Sequence, residues 1–409
     1  MPTDRTYDLV LFGATGFTGA LTAEYLARNA PADCRWALAG RSRDKLAALR
    51  DRLAAVDPAC ADLPLLIADT TDSASLRALA ADTRVVATTV GPYVTYGAPL
   101  VAACAEAGTD YLDLTGEPEF VDRMYVDHHE QAVRTGARLV HACGFDSIPH
   151  DLGVYYTMAQ LPHDVPVRIT GYVRAGGTMS GGTFASALTA FSRLRATRDA
   201  ARARKRAEPR PEGRRARAVE GRPRRIAPSE VAPRGGWAVP LPTIDPHIVA
   251  RSARALDAYG PDFTYTHYAS VRRLPVAVGG AVGLGALVAL AQLAPARRFL
   301  QSRLAPGEGP SEERRAKAWF SVRFEAEAGT PGRSTRVVTE VGGGDPGYGE
   351  TAKMLAESAL CLAFDDLPKT SGQVTTAVAM GDALLARLQR AGLVFRRLDA
   401  EPKGTPSKK

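Results

Sequence analysis

Three glycines near the start of the chain constrain its fold more than any other feature. They are spaced Gly-x-x-Gly-x-x-Gly at Gly13, Gly16 and Gly19, after the apolar run 9–12 and before the helix-forming residues 20–27. A short apolar run of this kind is typical of a buried parallel strand. The pattern therefore predicts a strand, a tight turn and a helix start.

Each glycine has a physical reason in such a turn. Gly13 can adopt a positive φ, Gly16 lets the backbone approach a pyrophosphate, and Gly19 lets the helix pack close to the strand. The N–H groups and the positive dipole end of the helix would then face the phosphates. An ordinary βα turn is the alternative. The residues expected to contact a dinucleotide are Gly13, Thr15, Gly16, Phe17, Thr18 and Gly19.

The second predicted strand is 36–40, and the residues that follow it indicate whether NAD or NADP is the expected cofactor. This position usually faces the adenosine ribose, where an acidic residue would bond the 2′-hydroxyl of NAD. Here Arg41 and Ser42 can instead hold a 2′-phosphate. We therefore expect NADP(H) as the cofactor, with the alternative that Arg41 only starts the next helix at the surface.

Two later strand ends complete the predicted cofactor site. Asp69 ends the third strand and is expected either to bond the adenine amine or to cap the following helix. Gly91 and Pro92 end the fourth strand, at the edge where a crevice for the nicotinamide should form.

Strands and helices alternate for about 145 residues, as in a doubly wound sheet. Beyond residue 150 the pattern changes, and 167–174 alternates like a half-exposed strand. We expect it to pair with 263–271, 319–327 and 333–341 in an antiparallel sheet over the crevice. The predicted fold is thus α/β, with a Rossmann doubly wound parallel sheet and a second α+β domain. The expected divisions are an NADP-binding domain at 1–150, a second domain at 151–345, and C-terminal helices at 346–409 that pack back on the body.

The net charge of +8 comes from one segment. Residues 193–225 contain fourteen Lys and Arg and four acidic residues. They lack the aromatic residues of a nucleic-acid surface, so no nucleic acid is expected as a partner. We expect a solvated loop that extends a helix, or a surface that attracts anionic lipid or an acidic carrier protein.

Residues 274–294 form an uncharged apolar run. As a helix the run would be about 31 Å long, close to the thickness of a bilayer core. Three alternatives stay open: a membrane span, an interfacial helix that contacts lipid, and a buried helix or homo-oligomer contact. Five scattered cysteines and the polar N-terminus predict a cytoplasmic protein, peripheral to the inner face of the cell membrane if the run contacts lipid.

The catalytic residues are less clearly marked. The chain has no Tyr-x-x-x-Lys proton relay, and its dispersed histidines indicate no metal site. Candidates at the predicted sheet ends are Tyr93, Asp146 and Tyr265, followed by Tyr96, Ser147 and His267. Each has a structural alternative, such as aromatic cover on the cofactor, a helix cap or a sheet residue.

Several motifs together resemble the saccharopine dehydrogenase-like oxidoreductases, and most closely their trans-acting enoyl reductase branch. The resemblance extends over most of the chain and is carried by 13–19, 39–41, 91–97, 110–117, 143–149, 237–240, 244–246, 259–265, 309–311 and 344–352. At 373–377 the sequence departs from the expected Thr-Pro-Ala run.

This resemblance implies an NADPH-dependent reductase that acts on the C=C bond of a lipid-like or polyketide-like enoyl chain, which a carrier could present. A saccharopine-like C–N oxidoreductase is the first alternative. A non-catalytic NADP-binding protein at a lipid surface is the second.

Overall fold

The structure is a computed structural model that describes residues 5–177, 188–189, 191–209, 212–293, 295, 309–330 and 332–399. The sequence also predicts a helix at 184–194 after a Gly-rich stretch at 176–183, and of these residues 178–187 and 190 lie outside the described ranges, as does residue 294 at the end of the apolar run.

The helices of the described residues are numbered in chain order. They are α1 (Phe17–Asn29), α2 (Arg43–Ala54), α3 (Ser73–Ala81), α4 (Tyr93–Tyr96), α5 (Ala98–Ala107), α6 (Pro118–Thr135), α7 (Ile148–Met158), α8 (Leu194–Ala207), α9 (Asp245–Ala255), α10 (Leu274–Ala291), α11 (Glu312–Ala316), α12 (Gly349–Phe364) and α13 (Thr376–Arg390).

The strands follow the same convention. They are β1 (Tyr7–Phe12), β2 (Trp36–Gly40), β3 (Leu65–Ile67), β4 (Thr83–Thr88), β5 (Asp110–Leu112), β6 (Arg138–Val140), β7 (Val167–Gly176), β8 (Arg215–Ala218), β9 (Arg224–Ile226), β10 (Gly236–Pro240), β11 (Asp262–Val271), β12 (Trp319–Thr330), β13 (Arg333–Gly343), β14 (Gly372–Val374) and β15 (Val394–Arg397).

The first sheet has seven strands in the order β14-β6-β5-β4-β1-β2-β3, and every pair in it is parallel. The order reverses at β1, which pairs with β2 through Leu9 and Trp36 and with β4 through Leu9 and Val85. A Rossmann sheet binds its ligand at such a reversal. This confirms the predicted doubly wound fold.

The second sheet has eight strands, with β15-β13-β12-β7-β11-β10-β9 in order and β8 also paired with β11. Strands β12 and β13 are antiparallel, as expected, but β7 and β11 are parallel, with Phe263 opposite Val167. The prediction of a wholly antiparallel sheet is therefore wrong. The connection from β7 to β11 is long enough, with α8 and α9 in it, for a parallel crossover.

The C-terminal part of the chain returns to the first sheet. Strand β14 pairs with β6, with Gly372 opposite Arg138. Helix α12 packs against α1 and β4, and it contributes buried residues such as Met354 and Leu355 to the core. The parallel sheet is thus completed by residues far away in sequence.

The basic segment is not the solvated loop that was expected as one alternative. Its described residues form α8 and the strands β8 and β9, which extend the second sheet. Arg193 bonds Glu119 of α6 through two nitrogens, at 2.6 and 2.7 Å. Part of the positive charge is used in ion pairs within the protein, which involve Arg193, Arg202, Arg204, Arg214 and Arg217.

Helix α10 covers the apolar run up to Ala291, and among the described residues it is long and apolar enough to cross a membrane by length and composition alone. Most of its described side chains are exposed, with Val276 60% and Val282 66% accessible. The alternative of a helix buried within its own chain therefore does not describe α10.

Candidate active site

The glycine turn has the shape that a dinucleotide requires. Gly13 has a φ of +85°, and a Cβ on Gly19 would lie 2.3 Å from Gly13 O. Both positions therefore exclude a side chain. At Gly16 a Cβ would meet only Gly13 O, at 3.4 Å, and Thr15 and Gly16 are exposed. Thr18 lies in the first turn of α1, which starts directly after Gly16.

Phe17 connects this turn to the C-terminal half of the chain. Its ring makes an edge contact with Tyr348, with the ring centroids 4.7 Å apart. The guanidinium of Arg315 lies 5.9 Å from the same ring. The first residue of α1 is therefore contacted by the C-terminal half of the chain.

The predicted ribose and adenine contacts lie at the ends of β2 and β3. Arg41 is exposed, while Ser42 accepts a hydrogen bond from Lys45 N at 3.4 Å and caps α2. The Asp69 carboxylate accepts bonds from Thr71 N and Thr71 Oγ1, both at 2.8 Å. These bonds, with Arg41 nearby, lower the pKa of Asp69. Asp72 caps α3 instead, so the helix-cap alternative for Asp69 is wrong.

Gly91 and Pro92 follow β4 and are joined by a cis peptide bond. They lead into Tyr93, whose hydroxyl donates to Thr88 O at 3.1 Å and accepts from Leu114 N at 3.2 Å. The hydroxyl thus connects the end of β4 to the end of β5. Its donor hydrogen and one acceptor position are both occupied by backbone groups. Tyr96, on the same short helix, is exposed.

Asp146 lies in the loop between β6 and α7, at the carboxyl edge of the first sheet. Its Oδ2 would be 3.1 Å from a Cβ placed on Gly116, which follows β5. Burial, and to a smaller extent the charge of Asp245, raise the pKa of Asp146 to about 7. A carboxylic acid with a pKa near neutrality can give and take a proton at physiological pH.

A buried polar cluster lies beside Asp146. Its members come from α7, β11 and the start of α9, and each is at most about 5% exposed: Ser147, His150, Asp245, Tyr265 and His267. His150 Nδ1 and Tyr265 Oη are 3.3 Å apart, and His150 Nε2 is 3.9 Å from Asp245 Oδ2. Ser147 Oγ donates to Asp245 Oδ1 at 3.5 Å.

Thr243 fixes two members of this cluster. Its hydroxyl donates to Asp245 Oδ2 at 2.5 Å and lies 3.0 Å from His267 Nε2. Because the hydroxyl hydrogen is used on Asp245, His267 Nε2 is the donor to Thr243, and Leu241 O lies 3.2 Å from the same nitrogen. His267 Nδ1 is then a buried acceptor without a partner among the described residues.

Both imidazoles of the cluster are neutral at pH 7. Burial lowers the pKa of His150, and it lowers the pKa of His267 to about 4, against the opposing effect of Asp245 in each case. The charge of Asp245 also acts on Asp146 and is, after burial, the second cause of its raised pKa.

The fold thus places two of the three predicted catalytic residues in the buried cluster or beside it, Tyr265 and Asp146, whereas the Tyr93 hydroxyl is engaged by backbone groups. Sequence reasoning gave no role to His150, Thr243 or Asp245. His150 directly follows the motif 143–149, and Asp245 lies in the motif 244–246. Both motifs belong to the family resemblance, and this was the only sequence signal that could have indicated these two residues. The imidazoles and the carboxylate have ligand atoms within 4.8 Å of one another, although the sequence indicated no metal site.

The described residues fit NADP(H). The open backbone at Gly16 and the free start of α1 suit a pyrophosphate. Arg41 is exposed at the end of β2, where a 2′-phosphate would lie. The carboxyl ends of β4, β5 and β6 carry Gly91, Gly116 and Asp146 at the edge where the nicotinamide half is expected.

Comparisons with known proteins agree with this geometry. Residues 9–140 match the model of the saccharopine dehydrogenase NADP binding domain. A trans-acting enoyl reductase of Mycobacterium ulcerans (strain Agy99) is 38% identical, over 95% of this chain and 97% of its own. A protein of Mycobacterium tuberculosis (strain ATCC 25618 / H37Rv) that carries the same name provisionally is 42% identical, over 96% and 97%.

Among solved structures, apo saccharopine dehydrogenase (L-Glu forming) from Saccharomyces cerevisiae matches 95% of this chain and 99% of its own, with a TM-score of 0.54. At 13% identity this likeness shows the shared fold. The relatives in sequence, which match almost from end to end, show the family. The chain therefore belongs to the saccharopine dehydrogenase-like, NADP-dependent oxidoreductases, within the trans-acting enoyl reductase family.

Proposed function

We propose that this protein reduces the C=C bond of an enoyl thioester with NADPH, and that Asp146 is the proton donor. The observation that carries this proposal is the Asp146 carboxyl, which lies at the carboxyl edge of the Rossmann sheet with a pKa raised to about 7. The names of the relatives support the enoyl substrate class.

The proposed reduction needs a hydride at the β-carbon and a proton at the α-carbon. NADPH, when bound, supplies a hydride to the β-carbon of the enoyl group. Negative charge then develops toward the thioester oxygen, and the α-carbon needs a proton. Asp146 is partly accessible, whereas Tyr265 is fully buried, so Asp146 is the candidate that can reach the α-carbon.

The buried cluster positions and tunes this acid. Thr243 holds Asp245 and His267, and Tyr265 lies in hydrogen-bond range of His150. The negative charge of Asp245 keeps the Asp146 proton in place near neutral pH. Asp245 is thus a positioning residue that acts through Asp146.

The same contacts favour an acyl substrate over an amino-acid substrate. A saccharopine-like reaction needs cations for the substrate carboxylates. The groups that form hydrogen bonds in the cluster are hydroxyls, imidazoles, a carboxylate and the backbone carbonyl of Leu241. A carboxylate substrate would meet the negative charge of Asp245 there.

We further propose that the protein works at the inner face of the cell membrane, on a chain held as a thioester of a carrier. Support comes from α10, whose exposed Val276, Val278 and Val282 form an apolar surface, and from the exposed Arg272 and Arg273 just before it. An apolar helix beside cations suits an anionic lipid surface.

The reaction class is tested by following NADPH absorbance with a trans-2-enoyl pantetheine thioester, a 3-oxo thioester and a cyclic imine. We expect consumption with the enoyl thioester and a large loss of kcat in Asp146→Asn. Asp164→Asn, which changes an exposed carboxylate, is the matched control. Consumption with the imine or the ketone but not with the enoyl thioester would overturn the proposal.

A further inference from the structure

A second site lies outside the cofactor crevice, in a cavity of about 380 Å³. The cavity is open to solvent on one side and is lined by residues of α6, α8, α9 and the segment from β14 to α13. Its volume is in the range of pockets that hold small molecules. None of the roles given above to Asp146 or to the buried cluster uses it.

Two buried arginines are among the residues that line this cavity. The side chains of Arg204 and Arg251 are only 6% and 9% exposed. Arg204 uses its terminal nitrogens on Gln373 and Glu208, and Arg251 uses one on Asp122. Arg204 Nε and Arg251 Nη1 are buried without a hydrogen-bond partner in the described part of the chain. Buried, unpaired donors of this kind are costly unless a ligand satisfies them.

A third unpartnered nitrogen comes from the end of β6. His141 lines the same cavity, and its Nδ1 lies 2.6 Å from a carboxylate oxygen of Asp113. Its Nε2 is buried and, within the ranges that the structure describes, has no partner. Because Nδ1 donates to the Asp113 carboxylate, His141 Nε2 is an acceptor in the neutral ring and does not count among the donors for an anion.

The charges around the cavity sum to a positive value. Three arginines, Arg204, Arg251 and Arg254, face two carboxylates, those of Asp122 and Glu208. Burial and then the charge of Arg204 lower the pKa of Arg251 to about 10. Arg251 is therefore charged at pH 7, and an added anion would relieve the repulsion between the arginines.

Most of the remaining wall is apolar, and His129, Gln373 and Thr375 are its polar members. Val121, Ile248, Val374 and Val378 line the cavity together with the ring of Tyr125, over which the Arg204 guanidinium lies at 4.1 Å. A small inorganic ion would leave this apolar wall in contact with water. A ligand that carries an apolar chain behind its charge would cover it.

We propose that this cavity binds a single-chain amphiphile, with an oxyanion head on Arg204 and Arg251 and its tail on the apolar wall. The head can be a carboxylate or a phosphate, because both accept from guanidinium donors. This site is independent of the proposed reductase reaction, since it needs neither NADPH nor Asp146.

Isothermal titration calorimetry of the full chain tests this proposal with decanoate, decyl phosphate and decanol. We expect saturable binding of at least one anion, and binding of decanol weaker by about tenfold or more. Comparison of the two anions identifies the head group. Saturable binding of neither anion, or equal affinity for decanol, would overturn the proposal.

Two variants locate the site. Arg251→Gln should weaken binding of the anion by about tenfold or more, while Arg202→Gln, at an exposed position of α8, should leave it unchanged. Val378→Trp fills the cavity without removing a charge, so it should block binding even if Arg251→Gln does not fold. Unaltered affinity in Val378→Trp would contradict the assignment.

Discussion

The charge of Asp245 acts on the carboxyl of Asp146 and, after burial, is the second cause that raises the pKa of Asp146 to about 7. Asp245→Asn removes this charge, so the pKa of Asp146 falls. The protonated donor is then lost at a lower pH, and the alkaline limb of the kcat profile moves toward acid. The shift is partial, because burial, the larger cause, is unchanged.

A pH–rate profile of Asp245→Asn against the parent protein measures this shift. Asp164→Asn serves again as the control, since the exposed carboxylate of Asp164 does not contribute to the raised pKa of Asp146. An alkaline limb that stays in place would show that Asp245 does not tune the proton donor.

Adding one methyl group to the glycine turn is predicted to lower the stability at Gly19 and the affinity for NADPH at Gly16. In Gly19→Ala the new Cβ would lie 2.3 Å from Gly13 O, so the strand and helix must separate. We expect a loss of about 1–3 kcal/mol in the free energy of unfolding, seen as a fall in Tm. In Gly16→Ala the nearest atom is 3.4 Å away, so Tm should hold while Kd for NADPH rises. Equal losses of Tm would contradict this difference.

Arg41 is predicted to select NADPH over NADH. Hydrogen bonds to a charged group contribute about 1.5–3 kcal/mol, so Arg41→Gln should weaken NADPH binding by about tenfold or more. Binding of NADH, which lacks the 2′-phosphate, should change little. Arg28→Gln, on the exposed end of α1, provides a control for loss of charge. Fluorescence titration of both nucleotides measures the ratio, and a parallel loss for both would argue against this role of Arg41.

Helix α10 is predicted to bind anionic lipid. Replacing the exposed Val276 and Val282 by Asp should abolish co-sedimentation with phosphatidylglycerol vesicles, because a charge in an interfacial helix opposes burial in lipid. NADPH binding should be unaffected, since α10 packs on β10 and β11 of the second sheet. Sedimentation velocity without lipid identifies the other outcome, a homo-oligomer through α10, which would contradict the lipid proposal.

The sequence predicted the first half of the fold well because its signals are local. Gly13 and Gly19 require particular backbone positions, and the run 9–12 can be buried only between neighbouring strands. The parallel pairing of β7 and β11, by contrast, depends on a crossover of many residues that no short pattern records. The entry of β14 into the first sheet has the same cause.

The catalytic cluster shows this limit most clearly. Asp146 was identifiable at a sheet end, and Tyr265 in a strand of the second domain. His150, Thr243 and Asp245 acquire a role only when α7 packs against α9 and β11. These two elements follow α7 by about a hundred residues in the sequence. A dispersed histidine has no periodicity or spacing that marks it, so sequence patterns alone could not assign it.

Hydride transfer from NADPH to an enoyl carbon is the central step of the proposed reaction. The direct measurement is a single turnover with a trans-2-enoyl pantetheine thioester and NADPH deuterated at the transferred position of C4, with mass spectrometry of the acyl product. The account predicts a saturated thioester that carries one deuterium at the β-carbon and one solvent-derived hydrogen at the α-carbon. Deuterium recovered at a carbonyl or imine carbon instead, with the C=C bond intact, would contradict it.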